Sequence, residues 1–499
     1  MINKNTDKIL VTGATGYVGG RLVPRLLEQG YKVRAASRSI EKLESRDWAK
    51  HKNIELVELD MLDLDSVKKA TADCSVIYYL VHSMNQLQKD FQKADKTCAE
   101  NLVKAGLENK IQRIIYLGGL GEEGENLSKH LSSRREVAKI LQDSEIPTTV
   151  LRAAMIIGSG SASFEMLRYL VERLPVMITP KWVSVPNQPI AIRNVLYYLV
   201  GCLEKDETIN RSFDIGGAEI VTYRQLMEIY ACSAGLKKRL ILPLPFFTPK
   251  ISSYWIHFLT PVPAYIARPL AEGLKNPVYC RDNEINNIIP QELLDCSTAI
   301  KLALNNLDNH TVETHWTDAG SIEHPEWVTA SDPQWSGGTL YVDSRKMIIK
   351  GKIEEIWKPI IKIGGRTGWY YGNFLWRLRG LIDKFFGGIG IRRGRRDPHN
   401  LRPGDVLDCW RVIKVSPPNE LLLVAEMNLP GKAMLGFKLN KIDEETTELI
   451  QIAKFAPVGV SGILYWYLVT PLHGLVFNGM LNGIARASGK QVLLKPVRI

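Results

Sequence analysis

The stretch Val-Thr-Gly-Ala-Thr-Gly-Tyr-Val-Gly, residues 11–19, decides the fold of the N-terminal half of this 499-residue chain. It follows the apolar run Lys8-Ile-Leu-Val11 and precedes a helical pattern of apolar residues from Leu22 to Leu27. A strand, a glycine-rich loop and a helix in this order are typical of a dinucleotide-binding loop. The sequence therefore predicts that residues 11–19 hold the phosphates of a dinucleotide.

The three glycines of this loop have separate physical roles in such a site. Gly13 permits the tight turn, Gly16 lets the backbone approach a pyrophosphate, and Gly19 lets the helix pack against the strand. The helix N-terminus then presents N–H groups and a partial positive charge to the phosphates. The predicted cofactor-binding residues of the loop are Gly13, Thr15, Gly16, Tyr17, Val18 and Gly19.

Short apolar strands alternate with helical patterns through the first 160 residues. Continuous apolar runs such as 76–81 are typical of a parallel sheet that is covered on both faces. We therefore expect an α/β fold with a doubly wound parallel Rossmann sheet. The predicted strands are 8–13, 32–37, 54–59, 76–81, 113–118, 148–157 and 212–216, and the predicted helices are 18–29, 40–48, 65–72, 91–109, 130–143, 164–174, 192–203 and 223–234.

A chain of 499 residues exceeds the usual size of one domain, so we expect two domains or more. Changes in composition along the chain indicate where they divide. The predicted Rossmann domain spans residues 1–240. Residues 241–304 are rich in proline and aromatic residues, and they either cap a substrate cleft or form a packing layer. The polar segment 305–337 is predicted to be a linker, and residues 338–499 form a second domain.

The second domain is predicted to be an α+β fold. One strand, short helices, several antiparallel strands and a closing helix are typical of a helix-grip fold, in which a curved sheet wraps around a helix and encloses a cavity. Its aromatic residues either line that cavity or fill it. The predicted strands are 340–349, 405–415, 420–427, 434–440 and 448–455, the helices are 353–361 and 469–487, and the aromatic residues are Trp369, Tyr370, Tyr371, Phe374, Trp376, Trp410 and Trp466.

The net charge of +11 is concentrated in one segment of the second domain. Residues 345–414 contain 17 Lys and Arg against 6 Asp and Glu. Such a basic surface indicates an anionic ligand or membrane headgroups, and it does not by itself indicate nucleic acid. The basic loop 391–396 is predicted to be a solvated loop rather than a phosphate or membrane site.

An uncharged run of 31 residues, 455–485, admits two interpretations. A membrane-spanning helix needs about 20 predominantly apolar residues, whereas proline and glycine residues interrupt this run. The favoured interpretation is a buried core strand followed by a long helix across a sheet. The alternative is contact with a membrane, either peripheral or spanning.

The seven cysteines are scattered and none forms a Cys-x-x-Cys pair, so the sequence predicts neither a disulfide framework nor a metal site. The polar N-terminus leads directly into the first strand, so we expect no signal peptide. These features favour a reducing, cytoplasmic compartment, with peripheral membrane contact left open. They do not predict the oligomeric state.

The end of the second strand indicates which dinucleotide is bound. An acidic residue there bonds the adenosine ribose, whereas a basic residue accommodates a 2′-phosphate. This strand ends Ser37-Arg38-Ser39, so NADP(H) is favoured over NAD(H), the alternative being that Arg38 is a solvent-exposed cation. Asp60, after the third strand, contacts the adenine ring or caps the next helix. The other predicted cofactor-binding residues are Leu80, Val81 and His82, which should line the nicotinamide half of the groove.

This frame resembles the extended and atypical branches of the short-chain dehydrogenase/reductase superfamily. That resemblance implies a Ser after strand five and a Tyr-x-x-x-Lys pair on the next helix. Here the serine position carries Gly118 or Gly119, and the helix has no such pair. His130 and Arg134 share the i, i+4 spacing, so His130 is a candidate for proton transfer and Arg134 for orienting cofactor or substrate. The favoured alternative is that neither residue takes part in chemistry.

Over nearly its whole length the chain resembles the YbjT-type NAD(P)-binding proteins, in which an atypical short-chain domain precedes a domain of unknown function. The first domain is also similar to the NADPH-holding accessory subunit of respiratory complex I. The second is similar to the START/polyketide-cyclase superfamily, whose members enclose hydrophobic ligands. The motifs that carry the resemblance are 13–19, 79–84, 130–137, 151–165, 372–376, 401–410, 465–467 and 471–473.

Three hypotheses of function follow, and enzymatic activity stays open because the usual catalytic residues are absent. The first is an NADP(H)-dependent oxidoreductase whose hydride acceptor binds near His82, His130 and Arg152, with a second domain that holds a hydrophobic small molecule. The second is a non-catalytic, cofactor-holding binding or regulatory protein. The third is a lipid-handling protein at a membrane surface.

Overall fold

The chain folds into two compact units, residues 1–320 and 321–499. The computed structural model describes residues 3–4, 6–82, 91–121, 129–244, 256, 260, 262–273, 277–319, 340–390 and 395–499. At residues 129, 130, 181, 182, 243, 244, 264, 265, 270 and 271 it describes the backbone alone.

The described part of the first unit alternates strands and helices from its start. Its strands are β1 (Lys8–Thr12), β2 (Lys32–Ser37), β3 (Ile54–Glu58), β4 (Val76–Tyr79), β5 (Arg113–Gly119), β6 (Thr148–Ala153), β7 (Ile156–Ile157), β8 (Val176–Pro180), β9 (Pro186–Asn187), β10 (Ile190–Ala191), β11 (Ser212–Ile215), β12 (Val221–Thr222) and β13 (Leu240–Leu244). Its α-helices are α1 (Gly19–Glu28), α2 (Ile40–Glu44), α3 (Leu64–Thr71), α4 (Phe91–Glu108), α5 (Lys129–Gln142), α6 (Ala162–Arg173), α7 (Ile192–Glu204), α8 (Tyr223–Ser233), α9 (Ala264–Gly273), α10 (Glu284–Ile288) and α11 (Cys296–Asp308).

Among the described residues of this unit, seven strands form one parallel sheet in the order β11-β6-β5-β4-β1-β2-β3. Side chains alternate between its faces, so that Ile9 packs with α1 and α7 while the neighbouring Leu10 packs with α3 and α4. β1 pairs with β2 on one side and β4 on the other, so the strand order reverses there. The doubly wound α/β prediction is confirmed, and the reversal creates the crevice where such sheets bind ligands.

The predicted elements of the sheet agree with the structure to within a few residues, with two exceptions. The predicted helix 40–48 ends at Glu44, and a separate 3₁₀ turn follows at Asp47–Lys50. The predicted strand 148–157 leaves the main sheet after Ala153, because Ile156 pairs with Ile190 of β10 instead.

The prediction of a linker over 305–337 is wrong for its first part. Helix α11 continues to Asp308, and residues 312–319 pack on the first unit. Trp316 donates its backbone N–H to the Gly160 carbonyl at 2.8 Å, and the Arg21 guanidinium donates to Thr314 Oγ1 at 2.8 Å. The polar composition that suggested a linker belongs to side chains that pair with buried groups. Residues 320–337 lie outside the described part of the chain.

The predicted extension 241–304 also belongs partly to the first unit. Helix α11 buries Cys296 and Ile300 in the same apolar cluster as α6 and α8. Most of 245–261 lies outside the described residues, so the cap over a substrate cleft stays a prediction.

The described part of the second unit is an antiparallel sheet with helices. Its strands are β14 (Tyr341–Lys350), β15 (Val406–Leu407), β16 (Trp410–Ser416), β17 (Glu420–Ala425), β18 (Gly431–Asp443), β19 (Thr446–Pro457) and β20 (Gln491–Arg498), and its helices are α12 (Ile353–Ile361), α13 (Asn373–Phe385) and α14 (Gly459–Ser488). The strand order over these residues is β15-β16-β17-β18-β19-β14-β20.

Two sequence predictions for this unit need correction, and one helix was not predicted. The closing helix predicted at 469–487 begins earlier, because α14 runs from Gly459 to Ser488. The chain closes on β20 rather than on a helix, because β20 pairs with β14 at the edge of the sheet. Helix α13 was not predicted at all, since its apolar residues face solvent on one side and carry no simple burial pattern.

Helix α14 has two different halves. In its C-terminal half Met480, Leu481 and Ile484 are fully buried in the core of the unit. In its N-terminal half large apolar side chains such as Leu464 and Leu468 face solvent. Among the described residues, α14 is the one helix long and apolar enough to cross a membrane by length and composition.

Candidate functional site

The glycines of the loop after β1 lie so close to neighbouring backbone atoms that little room is left for a side chain. A Cβ at Gly19 would lie 2.4 Å from the Gly13 carbonyl oxygen, and a Cβ at Gly16 would lie 3.1 Å from the same atom. Gly13 itself has a φ of +65° and packs against the Leu80 carbonyl at the end of β4. The loop therefore forms a bare backbone cradle before α1, which fits the phosphates of a dinucleotide.

Threonine and tyrosine side chains hold this cradle in place. Thr12 Oγ1 donates to the Tyr78 carbonyl at 3.0 Å and accepts from the Leu80 N–H at 3.1 Å, which ties β1 to the end of β4. Burial raises the pKa of Tyr17 to about 12. Its hydroxyl sits so close to Gly158 that a Cβ there would lie 2.4 Å away. Tyr17 thus packs as part of the cradle rather than offering a proton.

The predicted adenosine end of the groove follows β2. Ser37 Oγ lies 3.1 Å from Thr15 Oγ1, which links the end of β2 to the glycine loop. Arg38 is partly exposed beside it and donates to the Ala319 carbonyl at 3.3 Å. Asp60 accepts the Leu62 N–H at 3.0 Å in the turn before α3. The residue that caps α3 is Asp63, so the capping alternative for Asp60 is wrong, and its contact with an adenine ring stays a prediction.

Residues 312–319 close over the glycine loop from the outside through buried charges. Arg46 donates to the Thr15 carbonyl at 3.1 Å and to Asp318 Oδ2 at 3.2 Å, and both charged side chains are buried. Burial by itself raises the pKa of Asp318, but the charges of Arg46 and Lys42 outweigh it and hold the pKa below its ordinary value. Asp318 therefore stays ionised and fixes this segment to the loop.

A cleft of about 290 Å³ lies beyond the carboxyl ends of β4, β5 and β6. It begins at the glycine loop, where Tyr17 and Val18 line it, and it extends to β9 and α9. The position matches the nicotinamide half of the predicted groove. Its lining residues include Leu80, Val81, His82, Leu117, Gly118, Gly119, Leu131, Arg134, Met155, Ser161, Ser163, Asn187, Tyr223 and Val278.

His82 is held at this cleft by a buried carboxylate. His82 Nδ1 lies 3.1 Å from Asp95 Oδ2, and Ser133 Oγ donates to the same oxygen at 2.8 Å. Burial lowers the pKa of His82, the positive charge of Arg134 lowers it further, and Asp95 opposes both effects. The imidazole is consequently neutral near pH 7, with its Nδ1 proton directed to Asp95. The sequence placed His82 in the groove, but Asp95 carried no local signal, since its contact with His82 depends on how α4 packs beside the end of β4.

Arg134 occupies the space that the glycine at the end of β5 leaves open. Its Nη1 donates to the Leu117 carbonyl at 3.2 Å, and a Cβ at Gly119 would lie only 3.3 Å from Arg134 Cδ. The predicted partner of Arg134, His130, lies in the first turn of α5, and its side chain is outside the described part of the structure. Arg152 does not line the cleft and pairs with Asp214 at 2.7 Å, so its predicted place beside a hydride acceptor is wrong.

Asn187 is a lining residue that sequence reasoning missed. Its side chain is buried, and among the described residues neither its amide nitrogen nor its amide oxygen has a hydrogen-bond partner. Buried amides are almost always paired, so an unpaired one in a cleft indicates a group that pairs with a ligand. Only the tertiary structure brings β9 to this cleft, and the two-residue strand has no sequence pattern.

Comparison with known protein families agrees with the geometry of the first unit. Residues 13–167 match the family described as NAD(P)H-binding. The first unit is an NAD(P)-binding Rossmann domain similar to atypical short-chain dehydrogenases/reductases. Residues 335–480 match a family described as a protein of unknown function, DUF2867. The START-like, helix-grip assignment of the second unit therefore stays a prediction.

Curated relatives match part of this chain. Protein TIC 62 of Arabidopsis thaliana, a chloroplastic protein, is 31% identical over 136 residues, which is 24% of this chain and 21% of that protein. The chloroplastic divinyl chlorophyllide a 8-vinyl-reductase of Cucumis sativus is 22% identical over 43% of this chain and 54% of that protein. The chain thus spans between about a fifth and about half of the length of these relatives.

A solved structure shares the fold of the NAD(P)-binding unit. The triphenylmethane reductase of Citrobacter sp., determined in complex with NADP(H), superposes with a TM-score of 0.50 and 21% identity. The match covers 59% of this chain and 99% of the reductase.

The buried pair of Arg46 and Asp318 gives a test of how the glycine loop is held. Asp318→Ala leaves the Arg46 guanidinium buried without its carboxylate, which should cost about 3–5 kcal/mol of unfolding free energy. Urea unfolding of the full chain measures the loss. In the matched control, Arg46→Met combined with Asp318→Ala should recover much of it, because neither charge remains. Unchanged stability of the single variant would show that this ion pair does not fix the segment.

Proposed function

We propose that the first unit is an NADP(H)-dependent oxidoreductase that acts on an alcohol or carbonyl substrate. The observation that carries the proposal is the cleft beside the glycine loop. It combines a histidine oriented by a buried carboxylate, a cation and an unpaired buried amide. The family match and the fold of the first unit indicate NAD(P) binding. The side chains of the cleft support chemistry on a second molecule.

When bound, a nicotinamide cofactor accepts a hydride from the carbon of an alcohol or returns it to a carbonyl. In the oxidation direction His82 takes the hydroxyl proton, since its neutral imidazole is a competent base and Asp95 stabilises the imidazolium that forms. In the reduction direction the same imidazolium returns the proton. His82 thus replaces the tyrosine that the family resemblance led us to expect.

Two further side chains take part in this proposal: one orients the substrate, and the other acts on His82. The amide of Asn187 donates to the carbonyl oxygen and polarises it, which also pairs a group that is otherwise unsatisfied. Arg134, fixed by the Leu117 carbonyl, keeps the pKa of His82 low through its charge. The small cleft volume of about 290 Å³ favours a compact substrate group.

The preference for NADP(H) over NAD(H) rests on the end of β2. Ser37 and Arg38 stand where an acidic residue would bond a ribose diol, and Arg38 lies partly exposed at the edge of the groove. A guanidinium pairs well with a phosphate through parallel charge-assisted hydrogen bonds.

Arg38→Ala tests the cofactor preference. Loss of a charge-assisted bond to the 2′-phosphate should raise the Kd for NADPH about tenfold to a hundredfold and leave the Kd for NADH nearly unchanged. Isothermal titration calorimetry measures both constants. Lys32→Ala, an exposed cation at the other end of β2, is the control and should change neither. Equal weakening for both cofactors would contradict the preference.

The pH profile of alcohol oxidation tests the role of His82. Because the pKa of His82 is lowered, the rate should stay level through neutral pH and fall only below about 6.5. Asp95→Asn removes a group that raises this pKa, so its inflection moves to lower pH. Arg134→Gln removes a charge that lowers it, so its inflection moves to higher pH.

His82→Ala should reduce kcat with NADP⁺ and a panel of secondary alcohols by about a hundredfold or more. His51→Ala, an exposed histidine of the same unit, is the matched control and should keep full activity. Cofactor binding with no turnover of any substrate in wild type would favour the second hypothesis, a cofactor-holding binding or regulatory protein.

For the second unit we propose that a hydrophobic small molecule occupies a cavity of about 550 Å³ between α13, α14 and the sheet. Its lining is mostly apolar and aromatic, and its polar residues are Arg379, Asp383, Asn428, Lys454 and His473. His473 Nδ1 lies 3.6 Å from Asp343 Oδ2. Burial by itself raises the pKa of Asp343, but His473 and Arg345 outweigh it and lower the pKa to about 2. A few fixed polar groups in an apolar cavity are typical of ligand sites.

Native mass spectrometry of the purified chain tests this cavity. The wild type should retain a small apolar mass that solvent extraction releases. Val469→Trp places an indole into the cavity from α14 and should abolish retention. Val342→Trp, at an exposed position outside the lining, should retain the ligand like wild type. Retention by Val469→Trp would place the ligand elsewhere.

The cellular compartment stays a prediction. The described cysteines are all free, and five of the seven are buried, which suits the reducing compartment predicted from the sequence. Two of the relatives are chloroplastic proteins, which extends the set of reducing compartments to be tested beyond the cytoplasm.

A further inference from the structure

The second unit carries a large apolar surface on two helices. On α13 and directly after it, Phe374, Leu381, Phe385 and Phe386 are each more than half exposed, and Phe385 reaches 79%. The N-terminal half of α14 adds a second row, in which Leu468 is 77% exposed. Soluble proteins seldom expose contiguous patches of this kind unless they bind something. The exposed residues of the second row are Val458, Val460, Ile463, Leu464, Tyr467, Leu468, Leu472 and Leu475.

The two rows form one surface, because both helices line the same cavity. Leu378 and Ile382 of α13 and Leu468 and Leu472 of α14 are exposed and also line its wall. Arg379 of α13 lies over the ring of Tyr465 of α14 at 5.2 Å from the ring centre. The rim of the cavity is therefore itself apolar and exposed. We call this surface, formed by residues 374–386 and 458–475, the apolar face.

The charges on the apolar face have one sign. Arg377 is exposed on α13 beside Phe374 and Leu378. Arg379 follows Leu378 in the sequence and is partly exposed. The acidic residue of α13, Asp383, is buried and accepts backbone N–H groups of Gly390 and Asn428 at 2.8 Å each. Residues 455–485 contain no formal charge. An apolar surface with exposed arginine and no exposed carboxylate on its helices complements an anionic, apolar partner.

We propose that the apolar face docks on the surface of an anionic phospholipid membrane. Apolar and aromatic side chains enter the boundary between headgroups and acyl chains, and Arg377 pairs with lipid phosphates. The rim of the cavity then faces the lipid, so an apolar ligand passes between membrane and cavity without crossing water. The docking itself does not depend on the reaction proposed for the first unit.

Helix α14 lies on the membrane in this proposal and does not span it. Its C-terminal half is committed to the protein core, where Met480, Leu481 and Ile484 are fully buried. Gly462 and Trp466, within the N-terminal half, are also buried against the unit. The exposed stretch 458–475 is thus shorter than the roughly 20 residues that a span needs, and one side of it packs against the unit.

Vesicle co-sedimentation of the full chain tests the docking. Wild type should pellet with vesicles of phosphatidylcholine and phosphatidylglycerol, and less with phosphatidylcholine alone. Leu464→Asp combined with Leu468→Asp should weaken binding by at least about tenfold, because two exposed apolar anchors become charged. Ile442→Asp is the matched control, since Ile442 is 53% exposed at the far end of the β18–β19 hairpin, and it should bind like wild type.

A charge variant separates the electrostatic contribution to docking from the hydrophobic one. Arg377→Glu should weaken binding to the anionic vesicles and leave binding to phosphatidylcholine unchanged, and added salt should reduce the difference. Circular dichroism and NADPH binding of every variant should match wild type, which distinguishes lost docking from lost folding. Equal pelleting of wild type and the double aspartate variant would overturn the proposal. The proposal would also be overturned if neither form bound vesicles and the wild type were a dimer that dissociates in the double variant. The apolar face would then join two copies of the chain.

Discussion

The first unit depends on a buried electrostatic contact between two segments that are almost 300 residues apart in sequence. Arg46 joins the Thr15 carbonyl of the glycine loop to Asp318, and Arg21 joins α1 to Thr314. A buried charge without its partner is costly, so each member requires the other. The contact fixes the outer side of the cradle, while the bare glycines fix its inner side. The dinucleotide site is therefore completed by the last residues of the unit and not by the loop alone.

The same unit lacks the usual catalytic residues of short-chain dehydrogenases, and we propose that other side chains take their place. The glycine at the end of β5 leaves room for the Arg134 side chain, where a serine would be crowded. Arg134 and burial lower the pKa of His82, while Asp95 and Ser133 hold its ring. These contacts support the roles that we propose for His82 and Arg134.

In the second unit one helix serves both the core and the surface. The C-terminal half of α14 is packed into the sheet, and its N-terminal half presents apolar side chains outward beside those of α13. Because the cavity lies between these helices, burial of the apolar face would also close its rim. The proposed ligand and the proposed membrane contact therefore describe neighbouring parts of one surface.

The sequence by itself determined the parallel sheet, the glycine loop and the NAD(P) site, because alternating apolar runs and glycine spacing are local signals. It also determined most strand and helix bounds, and it placed His82 in the groove. Only the tertiary structure identified Asp95, Asn187 and Asp318. The contacts of Asp95 and Asp318 and the burial of Asn187 in the cleft arise only when the chain folds. The tertiary structure also decided that the long helix begins at Gly459 rather than at residue 469, because an uncharged run has the same composition in a buried strand and in an exposed helix. Local pattern specifies backbone conformation, whereas burial and charge pairing depend on what the fold brings together.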